Sequence, residues 1–451
     1  MPEDFAMIGI VLSILGVASV FVDVGFSQAV IQRKEISPKD LQSVFWLVLG
    51  LGTGMSILFY SISGFIADFF EISQLENLSK VLSIVFIINS VSGLNRAIIT
   101  RSLNFKYLAK ASFLSNLIGG ITGISFALSG FGVWSLVFHY LISNTLTLIL
   151  YWFKSGFKPG NNFSINAIKP LWNFSKHLFS ASLLNEVFSR LDIFIIGKLF
   201  QPATLGYYSR SKTFVSLIKD YSAGPLSSVL FPTLSQSQND LDRVKYITQT
   251  AFRAVLFFSL FLTGLLLIEA KDLFVLLFTD KWLPSVPYFQ LLVLSIFINP
   301  TSAILIQAAS SLGNSKLVFR VDILKKVLIL PTYIIGFYFG IKVFLYLFIV
   351  SRVIAFVINA YAFGKDIGWK GRDQLIETLT YLSIFIPTTS ILFWLSQYMT
   401  FPIIVNLIIN AVLYIFFILL LAYLFKNEGF IILKNRIILL YEKNNGHRTR
   451  S

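Results

Sequence analysis

Residues 402–425 read PIIVNLIINAVLYIFFILLLAYLF, an apolar run without a single charged side chain. At about 1.5 Å rise per residue, a helix of that length crosses the roughly 30 Å hydrocarbon core of a bilayer. The same criterion, applied back along the chain, finds twelve more runs. Their approximate limits are 5–31, 41–68, 78–100, 107–129, 131–153, 170–199, 203–231, 244–268, 286–311, 317–340, 342–364 and 373–398. The fold class is therefore an all-α polytopic membrane protein with about thirteen transmembrane helices seen. Composition agrees: 55% of the 451 residues are hydrophobic and 13% charged, whereas roughly a quarter of an ordinary soluble domain is charged.

Several chemistries drop out at this stage. Cysteine is absent, which removes disulfides, thiolate catalysis and cysteine-bound zinc. The three histidines, His139, His177 and His447, have no metal-ligand spacing, so no metal and no cofactor is expected. The net charge of +15 would suggest nucleic acid in a soluble protein. Here the cations follow the topology instead. Alternate loops carry Arg33, Lys34, Lys39; Arg101, Lys106, Lys110; Lys154, Lys158, Lys169; Arg243, Lys245; Lys316, Arg320; and Lys365, Lys370, Arg372. The tail adds Lys426, Lys434, Arg436, Lys443, Arg448 and Arg450, while the opposite loops hold only Lys198, Lys271, Lys281 and Lys342. Basic residues favour the cytoplasmic side, so the C-terminus is expected inside and nucleic acid is not expected as a partner.

A repeat runs through the chain at an offset near 200 residues. Pro2-Glu3-Asp4-Phe5 parallels Pro202-Ala203-Thr204-Leu205, and Ser27-Gln28-Ala29-Val30 parallels Ser227-Ser228-Val229-Leu230. Leu82-Ser83-Ile84 parallels Leu294-Ser295-Ile296, and Phe131-Gly132 parallels Phe339-Gly340. Corresponding loops share sidedness, so the halves run parallel, a transporter architecture with substrate held between them. The expected division is an N-terminal lobe over 1–168, a C-terminal lobe over 169–366, two extra helices over 367–425 and a basic cytoplasmic tail over 426–451. The second lobe shows six segments and the first five, and the missing one would precede Pro2; the sequence is thus expected to lack its first helix.

Arg190-Leu191-Asp192-Ile193-Phe194-Ile195-Ile196-Gly197-Lys198-Leu199-Phe200, followed by Leu205-Gly206-Tyr207-Tyr208-Ser209-Arg210, resembles the second-lobe signature of Wzx-type oligosaccharide flippases. Pro2-Glu3-Asp4-Phe5, Asp23-Val24-Gly25-Phe26, Leu230-Phe231-Pro232-Thr233-Leu234-Ser235 and Thr279-Asp280-Lys281-Trp282 resemble it too. The branch most similar is that of the colanic-acid exporter. The resemblance implies membership of the multidrug/oligosaccharidyl-lipid/polysaccharide exporter superfamily, with fourteen helices arranged as two six-helix lobes plus two. It implies a monomer in the bacterial cytoplasmic (inner) membrane. Its implied work is flipping undecaprenyl-pyrophosphate-linked oligosaccharide to the outer leaflet by alternating access. Implied partners are that lipid-linked oligosaccharide, membrane lipid, a polysaccharide polymerase and a chain-length regulator. Ala6 departs from a glycine usual in the family, whereas its repeat partner Gly206 is kept.

Ionisable residues within spans cost about 2.5–3.5 kcal/mol each on insertion scales and mark functional cavities or pairs. They concentrate in 170–199 (Lys176, His177, Glu186, Arg190, Asp192) and 203–231 (Arg210, Lys212, Lys219, Asp220). In the latter, Ser209, Thr213, Ser216, Asp220, Ala223 and Ser227 recur at helical spacing as one small, polar stripe. A pyrophosphate needs fixed cations, and arginine grips phosphate through a planar fork where lysine acts as a point charge. The candidate headgroup and sugar residues are Arg190, Arg210, Lys212, Lys219 and Ser216. Candidate ion-coupling acids are Asp23, Glu186, Asp192 and Asp220. A structural reading stands beside each: Glu186 and Arg190 have the spacing of a helix ion pair, Arg210 could snorkel, and Asp23 could cap a helix or pair with Arg33. His139 reads as an interior histidine. Gly50-Leu51-Gly52-Thr53-Gly54 lacks the lysine of a phosphate loop and reads as close helix packing.

Three rival functions remain at this stage. A drug or metabolite exporter of the same fold would more often have an acidic or aromatic cavity than a basic one. A membrane polysaccharide polymerase or ligase would need a sizeable outer loop bearing catalytic arginine or histidine, and the longest here, roughly 269–285, has neither. A scaffold subunit would need no buried charge cluster. The chain is thus read as a transporter, not an enzyme, with no catalytic residue.

Overall fold

Proline in the first turn of a helix forfeits an amide that has no partner there anyway, and its fixed φ suits the helix. Pro2, Pro38 and Pro202 each open one. The computed structural model describes residues 1–33, 35–399 and 401–436; the side chains of 173, 174, 177, 178, 219–229 and 337 lie outside that description. Lys34, the tail from 437 onward and the side chains of His177, Lys219 and Asp220 are thus outside the described residues.

The helices run in chain order α1 (Pro2–Asp23), α2 (Phe26–Gln32), α3 (Pro38–Ser61), α4 (Ser63–Phe70), α5 (Gln74–Leu82), α6 (Val85–Arg101), α7 (Phe105–Leu128), α8 (Val133–Ser155), α9 (Ile165–Leu199) and α10 (Pro202–Gln236). Then follow α11 (Leu241–Phe278), a 3-10 turn over Asp280–Ser285, α12 (Val286–Val293), α13 (Ile298–Ser311), α14 (Ser315–Phe339), α15 (Ile341–Ile367), α16 (Gly371–Ser396) and α17 (Ile403–Leu424). No strand occurs among the described residues. Each apolar run of the sequence has its helix or broken pair of helices, and among the described residues ten of these are long and apolar enough to cross a membrane. The runs at 170–199, 203–231 and 317–340 form α9, α10 and α14 but fall outside those ten. This is a polytopic membrane protein. Its large exposed side chains, such as Phe65, Phe113, Leu128 and Phe153, are what a lipid solvent tolerates and water does not.

The repeat reappears as local geometry. The first-half run at 78–100 breaks between α5 and α6 at Ser83-Ile84, and the second-half run at 286–311 breaks between α12 and α13 across Leu294–Phe297. The paired Leu-Ser-Ile stretches thus interrupt a helix at the same place in each half. Gly132 (φ 53°) precedes α8, and Gly340 (φ 95°) precedes α15. Both glycines take a backbone turn that a Cβ disfavours.

The run at 5–31 breaks where Val24 (φ 47°) and Gly25 (φ 78°) are both left-handed. Asp23 then caps α2, since its Oδ1 accepts from the Ser27 amide at 3.2 Å and hydroxyl at 2.5 Å. Replacing Gly25 by valine is expected to cost about 1–2 kcal/mol, because a second β-branched residue would be forced left-handed. A fall of a few degrees in the unfolding midpoint of the purified protein checks it; an unchanged midpoint would show that the break is dispensable.

Two sequence expectations need correction. In the glycine run 50–54, only Gly52 packs closely, its would-be Cβ lying 2.8 Å from Ser90; beside Gly50 and Gly54 nothing lies within 4 Å. The close packing found instead is between α7 and α8. There Gly119 abuts Ser143, and Gly123 abuts His139, which sits inside the hairpin. Nor is 269–285 an outer loop: α11 runs on to Phe278 and the 3-10 turn follows at once. The apolar stretch Leu273–Phe278 carries the helix past the charged triplet at 269–272.

Packing divides the chain into Met1–Ser209 and Arg210–Ser451. In the first unit α9 lies on α1, α2 and α3, and an apolar core joins Phe26 and Val30 of α2, Phe45 and Val48 of α3, Leu94 of α6 and Leu171 of α9. In the second, α11 is the central strut against α13, α16 and α17, with Phe252, Leu256, Leu305, Phe363 and Tyr414 among its fully buried residues. The sequence repeat groups α9 with the segments after it, whereas its packing groups it with those before it.

Candidate functional site

In the first unit, α9 carries Glu186 and Arg190 one turn apart, and the pair closes with Nε to Oε1 at 2.5 Å. Arg190 Nη1 also donates to the Leu12 carbonyl of α1 at 3.2 Å. The guanidinium lies flat against Gly16, where a Cβ would stand 2.4 Å from Cζ. Two of its five N–H donors are thereby used, and the side chain stays about one third exposed (31%). Tyr140 of α8 lies within electrostatic reach of it. The arrangement fixes a charged planar fork at Nε and Nη1, the kind of pre-oriented group that oxyanion recognition uses.

Asp192, two residues on, faces elsewhere. It is 4% exposed, accepts from the buried Tyr208 phenol, and accepts from the Ile193 amide at 2.9 Å. Its partners make it a tie between α9 and the start of α10. Gly206, one turn into α10, fits against the Pro2 backbone so closely that a Cβ would stand 1.9 Å from the Pro2 oxygen. At the end of α9, Lys198 pairs with Glu71 at 2.7 Å and holds that carboxyl below the usual carboxylate range.

In the second unit, the Arg210 guanidinium stacks 4.3 Å from the centre of the Phe278 ring, with Trp282 at 5.9 Å. Such stacking attracts the cation to the negative face of the ring. Lys212 is partly buried on the same helix, and Ser216 is exposed, its hydroxyl donating to the Thr213 carbonyl at 2.8 Å. Of the expected acids, Glu186 is committed to Arg190, Asp192 to Tyr208, and Asp23 to capping α2; Arg33 pairs with Asp40 at 3.6 Å. So the structure brings Glu186 and Arg190 together on one helix and places Asp192 apart from them.

The sequence reading missed one charged group here. Arg253 of α11 bridges Glu377 of α16, at 2.5 Å, and Glu428 beyond α17. A cavity of about 590 Å³ opens beside it, lined also by Tyr381, Phe425 and Lys426. Arg253 and Glu377 lie inside apolar runs, and opposite charges in two spans are the signal that could have paired them.

The model of a family described as "Polysaccharide biosynthesis protein" matches residues 1–287. The teichuronic acid biosynthesis protein TuaB of Bacillus subtilis (strain 168) is 27% identical over 321 residues, which take in 68% of this chain and 64% of that relative. The lipopolysaccharide biosynthesis protein WzxC of Escherichia coli (strain K12) is 24% identical over 343 residues, 74% of this chain and 68% of that one. The chain thus spans about two thirds of the length of these relatives. Among solved structures, the lipid II flippase MurJ in an inward closed conformation superposes with a TM-score of 0.75 at 17% identity, covering 94% of this chain and 93% of that one. At that identity the likeness speaks for the fold.

Proposed function

We propose, from the premise that this chain belongs to the polysaccharide biosynthesis protein family, that it carries lipid-linked oligosaccharide across a bacterial cytoplasmic membrane. It does so without catalysing bond changes, for export into an extracellular polysaccharide. The match to the family over residues 1–287 carries the reading, since it takes in every proposed headgroup residue from Arg190 to Lys219. The relatives' names, teichuronic acid and lipopolysaccharide biosynthesis, support a glycan cargo, and the flippase fold supports a lipid-linked one.

In this proposal Arg190 is the headgroup residue of the first unit, and Arg210, Lys212 and Lys219, with Ser216 for the sugars, are the candidate headgroup residues of the second. Arg190 is best suited, because its fork is already oriented by Glu186 and Leu12. Orientation in advance lowers the entropy lost on binding. The two halves of the repeat supply the moving bodies of an alternating-access cycle, and the basic C-terminal tail is cytoplasmic.

Leaflet-resolved labelling of lipid-linked oligosaccharide, in cells deleted for this gene, tests the reading. The expected result is accumulation on the cytoplasmic side, reversed by the reintroduced gene. An unchanged distribution, in a strain stripped of other transporters of this family, would remove lipid-linked oligosaccharide as the substrate.

A further inference from the structure

Glu269 sits on α11 in the second unit and is only 4% exposed. Neither of its oxygens has a hydrogen-bond partner of good geometry. The nearest help is the Asn410 side chain of α17, whose hydrogen bond to the carboxylate is weak, short of good geometry. Among the described residues no ion pair reaches it. Its own helix offers Lys271, two residues on and off its face, and, about one turn on, Asp272. Of the elements packed on α11, α10 reaches it through Phe214 against Phe274 and Phe278 and brings Arg210, stacked on Phe278 beyond Glu269, and Lys212; the others add little. α12, α13 and α17 hold no Asp, Glu, Lys, Arg or His, although Tyr288 and Tyr414 lie on α12 and α17. The charges of α16 are confined to Arg372, Asp373 and Glu377, and Glu377 is taken by Arg253. The 3-10 turn carries Asp280 and Lys281, and the facing start of α15 carries Lys342.

An ionised carboxylate left unpaired in such a place costs far more than folding can offset. Its charge has to be neutralised by something small enough to enter. The surroundings supply oxygen. Asn406, Asn410 and Tyr414 recur every fourth residue along the buried stripe of α17; the Asn406 side-chain oxygen has no hydrogen-bond partner, and the Tyr414 hydroxyl has Thr389 in reach. The Tyr414 and Thr389 hydroxyls come together over Gly264 of α11. Thr389 in turn lines a cavity of about 420 Å³ shared with Gln290, Lys342 and Tyr346. That cavity gives a small cation a polar approach to the stripe.

We propose that Glu269 and Asn410 form a monovalent-cation site in the second unit, occupied by a proton or a sodium ion that neutralises the carboxylate and secures α17 on α11. The inference rests on the packing of this unit and is independent of the substrate proposed above.

The test uses the full chain, purified in lipid nanodiscs, and reads its thermal unfolding midpoint. One arm raises sodium against N-methylglucamine at fixed pH. The other lowers pH between about 8.5 and 5.5 without sodium. Binding to the folded state should raise the midpoint by about 2–4 °C in one arm. A response to sodium assigns the site to sodium; a response to acid alone assigns it to a proton. Glu269→Gln, which is neutral and of the same shape, should match the occupied wild type and respond in neither arm. Asn410→Ala keeps the carboxylate and should need more of the cation for the same shift. If wild type and Glu269→Gln respond identically in both arms, Glu269 binds neither cation and the proposal fails.

Discussion

Replacing Gly264 by leucine is expected to lower the stability of the second unit by about 3 kcal/mol or more, a large loss for one side chain. Gly264 lies where α11 meets α16 and α17, and even a Cβ there would stand 2.1 Å from the Tyr414 hydroxyl oxygen and 2.5 Å from Thr389 Oγ1. Tyr414 is fully buried, so it cannot swing aside, and the helices must separate. Alanine is gentler, since it gains about 1 kcal/mol of helix propensity over glycine against the clash. Gly264→Ala combined with Tyr414→Phe should recover part of the loss, because contacting residues do not add. Gly54→Leu is the control: that glycine is mid-helix and exposed, with nothing within 4 Å. The unfolding midpoint in detergent decides. If Gly264→Leu and Gly54→Leu melt alike, the close approach of α17 to α11 is wrong.

The fold was legible because lipid imposes a coarse rule that individual residues obey. Every run of about twenty apolar positions became helix, and the Leu-Ser-Ile and Phe-Gly repeats marked a helix break and a helix start in both halves. What stayed illegible was one-sided. Charge in a span marks importance without naming its partner. Arg190 could be paired in advance with Glu186 because the partner is one turn away, but Asp192 met Tyr208 across a turn, and Arg253 met Glu377 across 124 residues. Glu269 was lost for another reason. The cluster Glu269, Lys271 and Asp272 looks like the end of a span, and only three-dimensional packing shows that its first member points inward while the helix continues. Close approaches at Gly16 and Gly264 were equally hidden, since a glycine in an apolar run gives no sign of what lies opposite.

Arg190→Ala is expected to cut outward delivery of lipid-linked sugar by about ten- to hundred-fold, the loss of one charge-assisted contact to an anion. Geometry matters here as much as charge. Glu186 holds Nε and the Leu12 carbonyl holds Nη1 of the guanidinium, and Gly16 forms its floor. Arg190→Lys keeps the charge but not the fork, so it should fall between wild type and alanine. Gly16→Leu keeps the charge in the chain but drives the guanidinium from its seat, and should act like Arg190→Ala. The competing role is purely mechanical, for Arg190 also ties α9 to α1 through Leu12. Glu186→Gln separates the two, because it keeps that tie while loosening the orientation of the fork. A mechanical role predicts that Arg190→Ala loses thermal stability yet transports normally per folded molecule, with Glu186→Gln unaffected in both respects. A headgroup role predicts the reverse ordering: transport falls in Arg190→Ala and Gly16→Leu after correction for folded protein, and Glu186→Gln shows a smaller fall of the same kind. Flux normalised to folded protein at the membrane therefore distinguishes a residue that holds the pyrophosphate from one that only holds two helices together.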